Sequence, residues 1–430
     1  MKNVKKNELF ELRDFLILWS TQSVSQLGSS ITAFALTLWL YEKTGSSLST
    51  AALTICSYTP YVLMSVFAGA VTDRFDKKKT MLGCDVFAVM CTITVFLLFR
   101  ANCLMVWHLY VLNGISGFMN TVQQPASEVA MTLIIPPKHY QRTSGLQSLS
   151  RSLISILNPL IATALYAFAG LNGVIAIDVC SFLVAFTALL FFIKIPEKKS
   201  DRRESVRKLV KEGLVFLKEN PLIMTLILFM SGVNLVASAF DAVLPGYVLP
   251  NPKGGQAVLG IVTSCAGAAM IIGSLIASAL PKPRDRVKVI YLTMLFSLGT
   301  ENFLLAFSRE PVLWCIGQII GWILVPIMSA NLDVILRTTI PVELQGRVYA
   351  CRNTLQFFTI PIGLFLGGFM VDRVCEPMMS IYGDLSILKA LFGSGKGSGA
   401  ALMMLVLGVG GSLICIITGR KLKKYHYNEG

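Results

Sequence analysis

The sequence predicts an all-α integral membrane protein whose twelve spanning helices form two pseudo-symmetric bundles of six. Three observations carry that prediction. The composition is 54% hydrophobic and only 14% charged over 430 residues, with a mean hydropathy of +0.65, outside the range of soluble globular chains. Apolar runs of bilayer length recur from one end of the chain to the other. The basic residues gather in alternate connections between those runs, as they do when every second loop stays on the side of insertion.

The runs lie at about 15–41, 51–71, 80–99, 106–131, 144–169, 173–195, 222–248, 257–280, 288–307, 312–335, 348–371 and 399–419. Twelve crossings put both termini on one side of a cell (inner or plasma) membrane. Residues 1–13 are basic and polar, without the short apolar core and small-residue cleavage site of a signal peptide, so the first span is read as its own insertion signal. Of 38 Lys and Arg, 30 fall in the termini and even-numbered connections, 7 in the odd-numbered ones, and Arg151 lies within a span. The termini, the connection at Asp73 and the linker are therefore expected to be cytoplasmic, and the net charge of +14 is a topology signal rather than a nucleic-acid surface. Most of the ten cysteines fall in spans, where a thiol serves as a small apolar residue. The three histidines are far apart in sequence, which argues against an intramembrane zinc enzyme; no metal and no cofactor is expected.

Between the second and third runs stands Gly69-Ala-Val-Thr-Asp73-Arg74-Phe-Asp76-Lys77-Lys78-Lys79, with four cations in six residues. A glycine one helical turn before an acid-base pair lets another helix approach closely while the carboxylate meets a helix end. This turn is read as a gating latch, with Lys77–Lys79 also serving topology. A basic, polar linker at 196–220, including a short surface helix, joins residues 1–195 to 221–430. The halves echo each other: Trp107 and Gly114 correspond to Trp314 and Gly321, and Ile135-Pro136 with Arg142 correspond to Ile340-Pro341 with Arg347. A duplicated six-helix unit explains both sets.

Polar groups in hydrocarbon are costly and should face a cavity or a neighbouring helix. Gln22, Gln26 and Ser29 in run 1, Asn113, Asn120 and Gln124 in run 4, and Asn234, Ser238 and Asp241 in run 7 each share one helix face. Gln22, Gln26, Asn113, Asn120, Gln124 and Asn234 are read as walls of a substrate cavity, with inter-helix hydrogen bonding as the alternative. Arg151 joins them as a cation able to meet substrate or a carboxylate on another helix. Asp85, Glu128 and Asp333 lie near inner helix ends, where loop cations can pair with them. Asp241, Asp178 and Glu301 lie deeper, with no opposite charge adjacent in sequence. They are the candidates for exchanging a coupling proton, Asp241 first. The segment Gly393-Ser-Gly395-Lys396-Gly397-Ser398 lacks the first glycine and the Ser or Thr of a phosphate-binding loop, and no ATP-driven chemistry is inferred from it.

The order Gly69, Asp73, Arg74, Lys77, Lys78 resembles the motif between helices 2 and 3 of the major facilitator superfamily, departing from it at Asp76, where glycine is usual, and at Val71, where leucine is common. Pro125-Ala126, Leu133-Ile-Ile-Pro136 with Arg142, Ile177-Asp178 with Ser181-Phe182, and Gly368-x-x-x-Asp372-Arg373 with Glu376-Pro377 resemble the macrolide-efflux-like exporters of that superfamily, a group that also includes relatives thought to export siderophores. The antiporter motif of helix 5 is partial: Gly145 and Pro159 match, while Ile154, Asn158, Ala162 and Thr163 stand where it has glycine. The resemblance runs over about 13–420. It implies a secondary active transporter, a proton-coupled exporter of a drug-like or amphiphilic metabolite, monomeric in the lipid bilayer and working by alternating access around a mid-membrane site. The alternatives are an importer of a small metabolite and a non-transport membrane enzyme or scaffold.

Overall fold

In a computed structural model, residues 11–74, 76–136, 139–196, 206–382 and 386–424 are described, with the side chains at 65–74, 140–142, 144, 145, 206–210, 342, 343, 345, 346, 350 and 386 outside that description. Among the described residues the chain is helical throughout, without strands. The helices are α1 (Arg13–Thr44), α2 (Ser47–Arg74), α3 (Lys77–Arg100), α4 (Val106–Ile134), α5 (Tyr140–Thr187), α6 (Val206–Glu219), α7 (Pro221–Val248), α8 (Gln256–Ala279), α9 (Arg286–Phe307), α10 (Pro311–Ile323), α11 (Val325–Thr339), α12 (Val342–Phe357), α13 (Thr359–Met370), α14 (Glu376–Tyr382), α15 (Ser386–Phe392) and α16 (Ser398–Leu422).

Each apolar run lies on one or more of these helices. Eight helices, among the described residues, are long and apolar enough to cross a membrane, so the chain is a multi-pass membrane protein. One of the eight, Leu146–Phe192, holds two predicted runs, because α5 is two helices joined across a kink at Gly170. Its φ of 60° is a left-handed conformation that glycine enters without a Cβ penalty. The run at 312–335 is divided at Leu324 into α10 and α11. The run at 348–371 is divided at Phe358 and then continues through a π-helical turn, Val371–Cys375.

Two compact units emerge. Unit 1 contains α1 up to Trp39 and the chain from Cys56 to the linker; unit 2 contains Leu40–Ile55 and the chain after the linker. The hairpin between α1 and α2 therefore belongs to unit 2. In unit 1 the core is built by Leu18, Met81, Ala126, Ala130, Leu189 and Ile193, with Gly117 of α4 packed directly on the Ser57 backbone of α2. Helices surrounded by lipid gain little from burying apolar surface against one another, and small residues at such crossings allow the close backbone approach that replaces it. Large apolar side chains such as Leu97, Phe191 and Leu275 instead point outward.

Unit 2 is joined by a polar seam between α7 and α12–α13. Thr359 Oγ1 donates to Ser231 O at 2.8 Å and Asn234 Nδ2 to Gln356 O at 3.0 Å. Arg352 Nε donates to Gln356 Oε1 at 3.0 Å, fixing that side chain. The linker helix α6 packs on α12, where the Glu212–Arg347 ion pair holds it.

Candidate functional site

The connection after α2 has two parts. Gly69, Asp73 and Arg74 lie on the last turns of the α2 backbone, and their side chains lie outside the described residues. The second part is defined. Asp76 caps α3, accepting from Lys79 N at 2.7 Å, which accounts for an aspartate where the superfamily usually has glycine: a side-chain oxygen at this position satisfies a free N–H of the first turn. Lys78 Nζ donates to Leu190 O at 3.0 Å and Ile193 O at 2.8 Å, binding carbonyls freed at the end of α5 by the π-helical turn Ala188–Phe192. Lys77 is buried. The lysines thus have structural work besides topology. In unit 2 the same cap recurs, with Asp285 accepting from Lys288 N at 2.9 Å at the start of α9. The sequence places the counterpart of the turn at 281–286 by its basic charge although the motif spacing is lost there; the aspartate three residues before a lysine is the part of the turn that the two connections share.

The polar stripes of unit 1 divide by exposure. Gln26, Asn120, Gln124 and Arg151 are exposed although they sit well inside long membrane helices. Asn113 is half-buried and donates to Leu109 O at 2.9 Å within its own helix. Gln22 lies beside Asp85, and the Gln123 amide donates to that carboxylate. Loop cations were expected near Asp85; the Gln123 amide holds one of its oxygens instead, with Gln22 beside it. Asp178, buried, accepts from Ser29 Oγ at 3.0 Å, with Thr32 and Thr92 also adjacent. Hydroxyls from α1 and α3 thus surround the Asp178 carboxylate.

In unit 2 the stripe on α7 splits. Asn234 serves the seam with α12, and Ser238 Oγ donates to Asn234 O at 2.6 Å. Asp241, between buried Phe240 and Ala242, is exposed and accepts no hydrogen bond among the described residues. Its electrostatic neighbour is Glu301 on α9. Glu301 is only 5% exposed, its Oε1 is buried without a hydrogen-bond partner among the described residues, and the Trp322 indole lies beside the carboxyl. The carboxyl rests on α10 where Gly321 leaves room: a Cβ there would stand 2.6 Å from Glu301 Cδ. Ser297 Oγ donates to Gly321 O at 2.7 Å and fixes that crossing. The pairing of Gly321 with Glu301 could not be read from linear spacing, because it depends on the α9–α10 crossing.

This all-helical fold and its charged connection after α2 can be compared with known proteins. The model of the transmembrane secretion effector family matches residues 9–392. The chain belongs to this family, a branch of the major facilitator superfamily. Among curated proteins this family member is 26% identical to macrolide efflux protein A of Streptococcus pyogenes over 368 residues, covering 84% of this chain and 90% of that one. It is 24% identical to the multidrug efflux pump Tap of Mycolicibacterium fortuitum, covering 86% and 91%. Among solved structures, a bacterial homologue of the lysosomal transporter Spinster superposes with a TM-score of 0.72 at 14% identity, covering 98% of this chain and 99% of that one. At that identity the likeness establishes the fold alone, the helical fold of major facilitator transporters. Family and fold together make the chain a membrane transporter.

Proposed function

We propose that this transporter exports an amphiphilic, drug-like molecule or metabolite, macrolide-like or siderophore-like, by alternating access, and that proton exchange at Asp241 drives export. Twelve crossings by a monomer, with termini, Asp73 connection and linker in the cytoplasm, complete the reading. The names of the relatives support export. Exposed Gln26, Asn120, Gln124 and Arg151 support a wet cavity wall in unit 1.

The observation that carries the coupling is the Asp241–Glu301 pair. Two carboxylates near one another repel when both are ionised, so a proton taken up by either relieves the repulsion. Asp241 is the exposed member of the pair, and Glu301 is the buried member that makes its charge state matter.

Uptake of a radiolabelled macrolide into inside-out membrane vesicles tests both parts. The intact protein should accumulate the macrolide against its gradient, an uncoupler should abolish accumulation, and Asp241→Asn should insert normally yet lose accumulation and its pH dependence. A fully active Asn variant with the normal pH profile would remove Asp241 from coupling. Absence of uncoupler-sensitive accumulation by the intact protein would remove the exporter reading.

A further inference from the structure

One carboxylate outside the coupling site binds another segment of the chain through three hydrogen bonds. Asp372 lies in the π-helical turn Val371–Cys375 after α13. Its Oδ2 accepts from Ser46 Oγ at 2.6 Å and Leu48 N at 2.8 Å, and its Oδ1 from Ser47 N at 3.1 Å. These donors are the start of α2, where backbone N–H groups have no helical acceptor and the helix dipole favours an anion. Four residues earlier on the same helical face, Gly368 brings bare backbone against the same turn: a Cβ there would stand 2.7 Å from Leu48 Cα and 3.0 Å from Leu48 N. Glycine admits the α2 terminus, and aspartate then binds it.

The rest of the hairpin is held within unit 2 by further polar contacts and by a small apolar cluster of Ala51 with Ala242 and Leu364. Lys396 Nζ stands over the Tyr41 ring at 5.9 Å from its centroid, and the Gln256 amide donates to the Glu42 carboxylate. Glu376 Oε1 accepts from Gly397 N at 2.8 Å, fixing the segment that carries Lys396. Leu40–Ile55 is thus attached to unit 2 through charges, hydrogen bonds and this apolar cluster, while α1 and α2 continue into unit 1.

We propose that Asp372 is the positioning residue of a second gate: by capping α2 it holds the α1–α2 hairpin closed against α13, and the transport cycle releases it. This inference rests on the alternating-access reading. A gate needs a contact strong enough to define one state and weak enough to break in every cycle, and a carboxylate on a helix terminus is of that size. α2 has 28 residues and is roughly 42 Å long, so its first turn and the Asp73 connection at its other end belong to opposite membrane faces. The spacing Gly368-x-x-x-Asp372-Arg373 repeats Gly69-x-x-x-Asp73-Arg74.

The test uses the full-length protein with Ser47→Cys, a near-isosteric change at a residue 1% exposed, and follows attachment of an impermeant maleimide to that residue by mass spectrometry. Asp372→Asn should raise the labelling rate about fivefold, the shift expected from losing one charge at a helix terminus. Asp372→Glu should return it toward the parent value. In a separate variant, Ser46→Cys with Asp372→Cys should form a disulfide on oxidation that halts macrolide transport until reduced. Unchanged labelling in a normally inserted Asp372→Asn protein, or full transport by the oxidised pair, would overturn the gate. Labelling needs neither substrate nor proton gradient. Faster labelling in a protein that exports nothing would therefore count against the exporter reading alone, and export with unchanged labelling against the gate alone.

Discussion

Asp178 in unit 1 accepts from Ser29 Oγ with Thr32 and Thr92 alongside, and Asp85 accepts from the Gln123 amide, whereas in unit 2 Asp241 accepts no hydrogen bond among the described residues and lies beside buried Glu301. The contrast separates two uses of a carboxylate in a membrane helix. Donors fixed around an anion stabilise it at the helix crossing, and removing the anion leaves those donors unsatisfied. A carboxylate without donors is not committed in this way, so it can gain and lose a proton during a cycle without dismantling a crossing. On this reasoning unit 1 spends its carboxylates on structure and unit 2 keeps a pair for chemistry.

Two substitutions can break the comparison. The larger effect is expected from Asp178→Ala, which leaves the Ser29 hydroxyl without its acceptor at a buried helix crossing and should cost about 3 kcal/mol of stability, read as earlier thermal unfolding in detergent. The protein that remains folded should keep the parental pH profile of export; a changed profile would place Asp178 among the coupling groups. A smaller effect, about 2 kcal/mol, is expected from Gly321→Ala, whose added methyl meets the Glu301 carboxyl in a packed crossing. Glu301→Ala in the same chain should recover most of that loss, since the two residues share one contact. Simple additivity of the two substitutions would show that Glu301 does not rest on Gly321.

The apolar runs were legible because hydrocarbon demands length and hydropathy, and each run lies on helix. The kink at Gly170 fell in the gap left between two runs. The breaks at Leu324 and Phe358 and the π-helical turns were not legible, because hydropathy reports burial in lipid and is blind to a one-residue change in hydrogen-bond register. Asp241 stood out by lacking a charged neighbour in sequence; that it accepts no hydrogen bond among the described residues could not be read there. Asn234 shared its helix face in sequence, yet its amide serves a seam with α12, since a shared face does not say which neighbour it meets. Gly368 and Asp372 were visible as a family resemblance; their job required knowing that α2 begins beside them.

The central claim is that the Asp241–Glu301 pair exchanges the coupling proton, and proton release on substrate binding tests it most directly. Purified protein in weakly buffered detergent solution with a pH-indicator dye should release protons when a macrolide is added, and Asp241→Asn should bind the macrolide with little release. Equal proton release from both proteins at equal macrolide occupancy would contradict the claim and move coupling to another carboxylate.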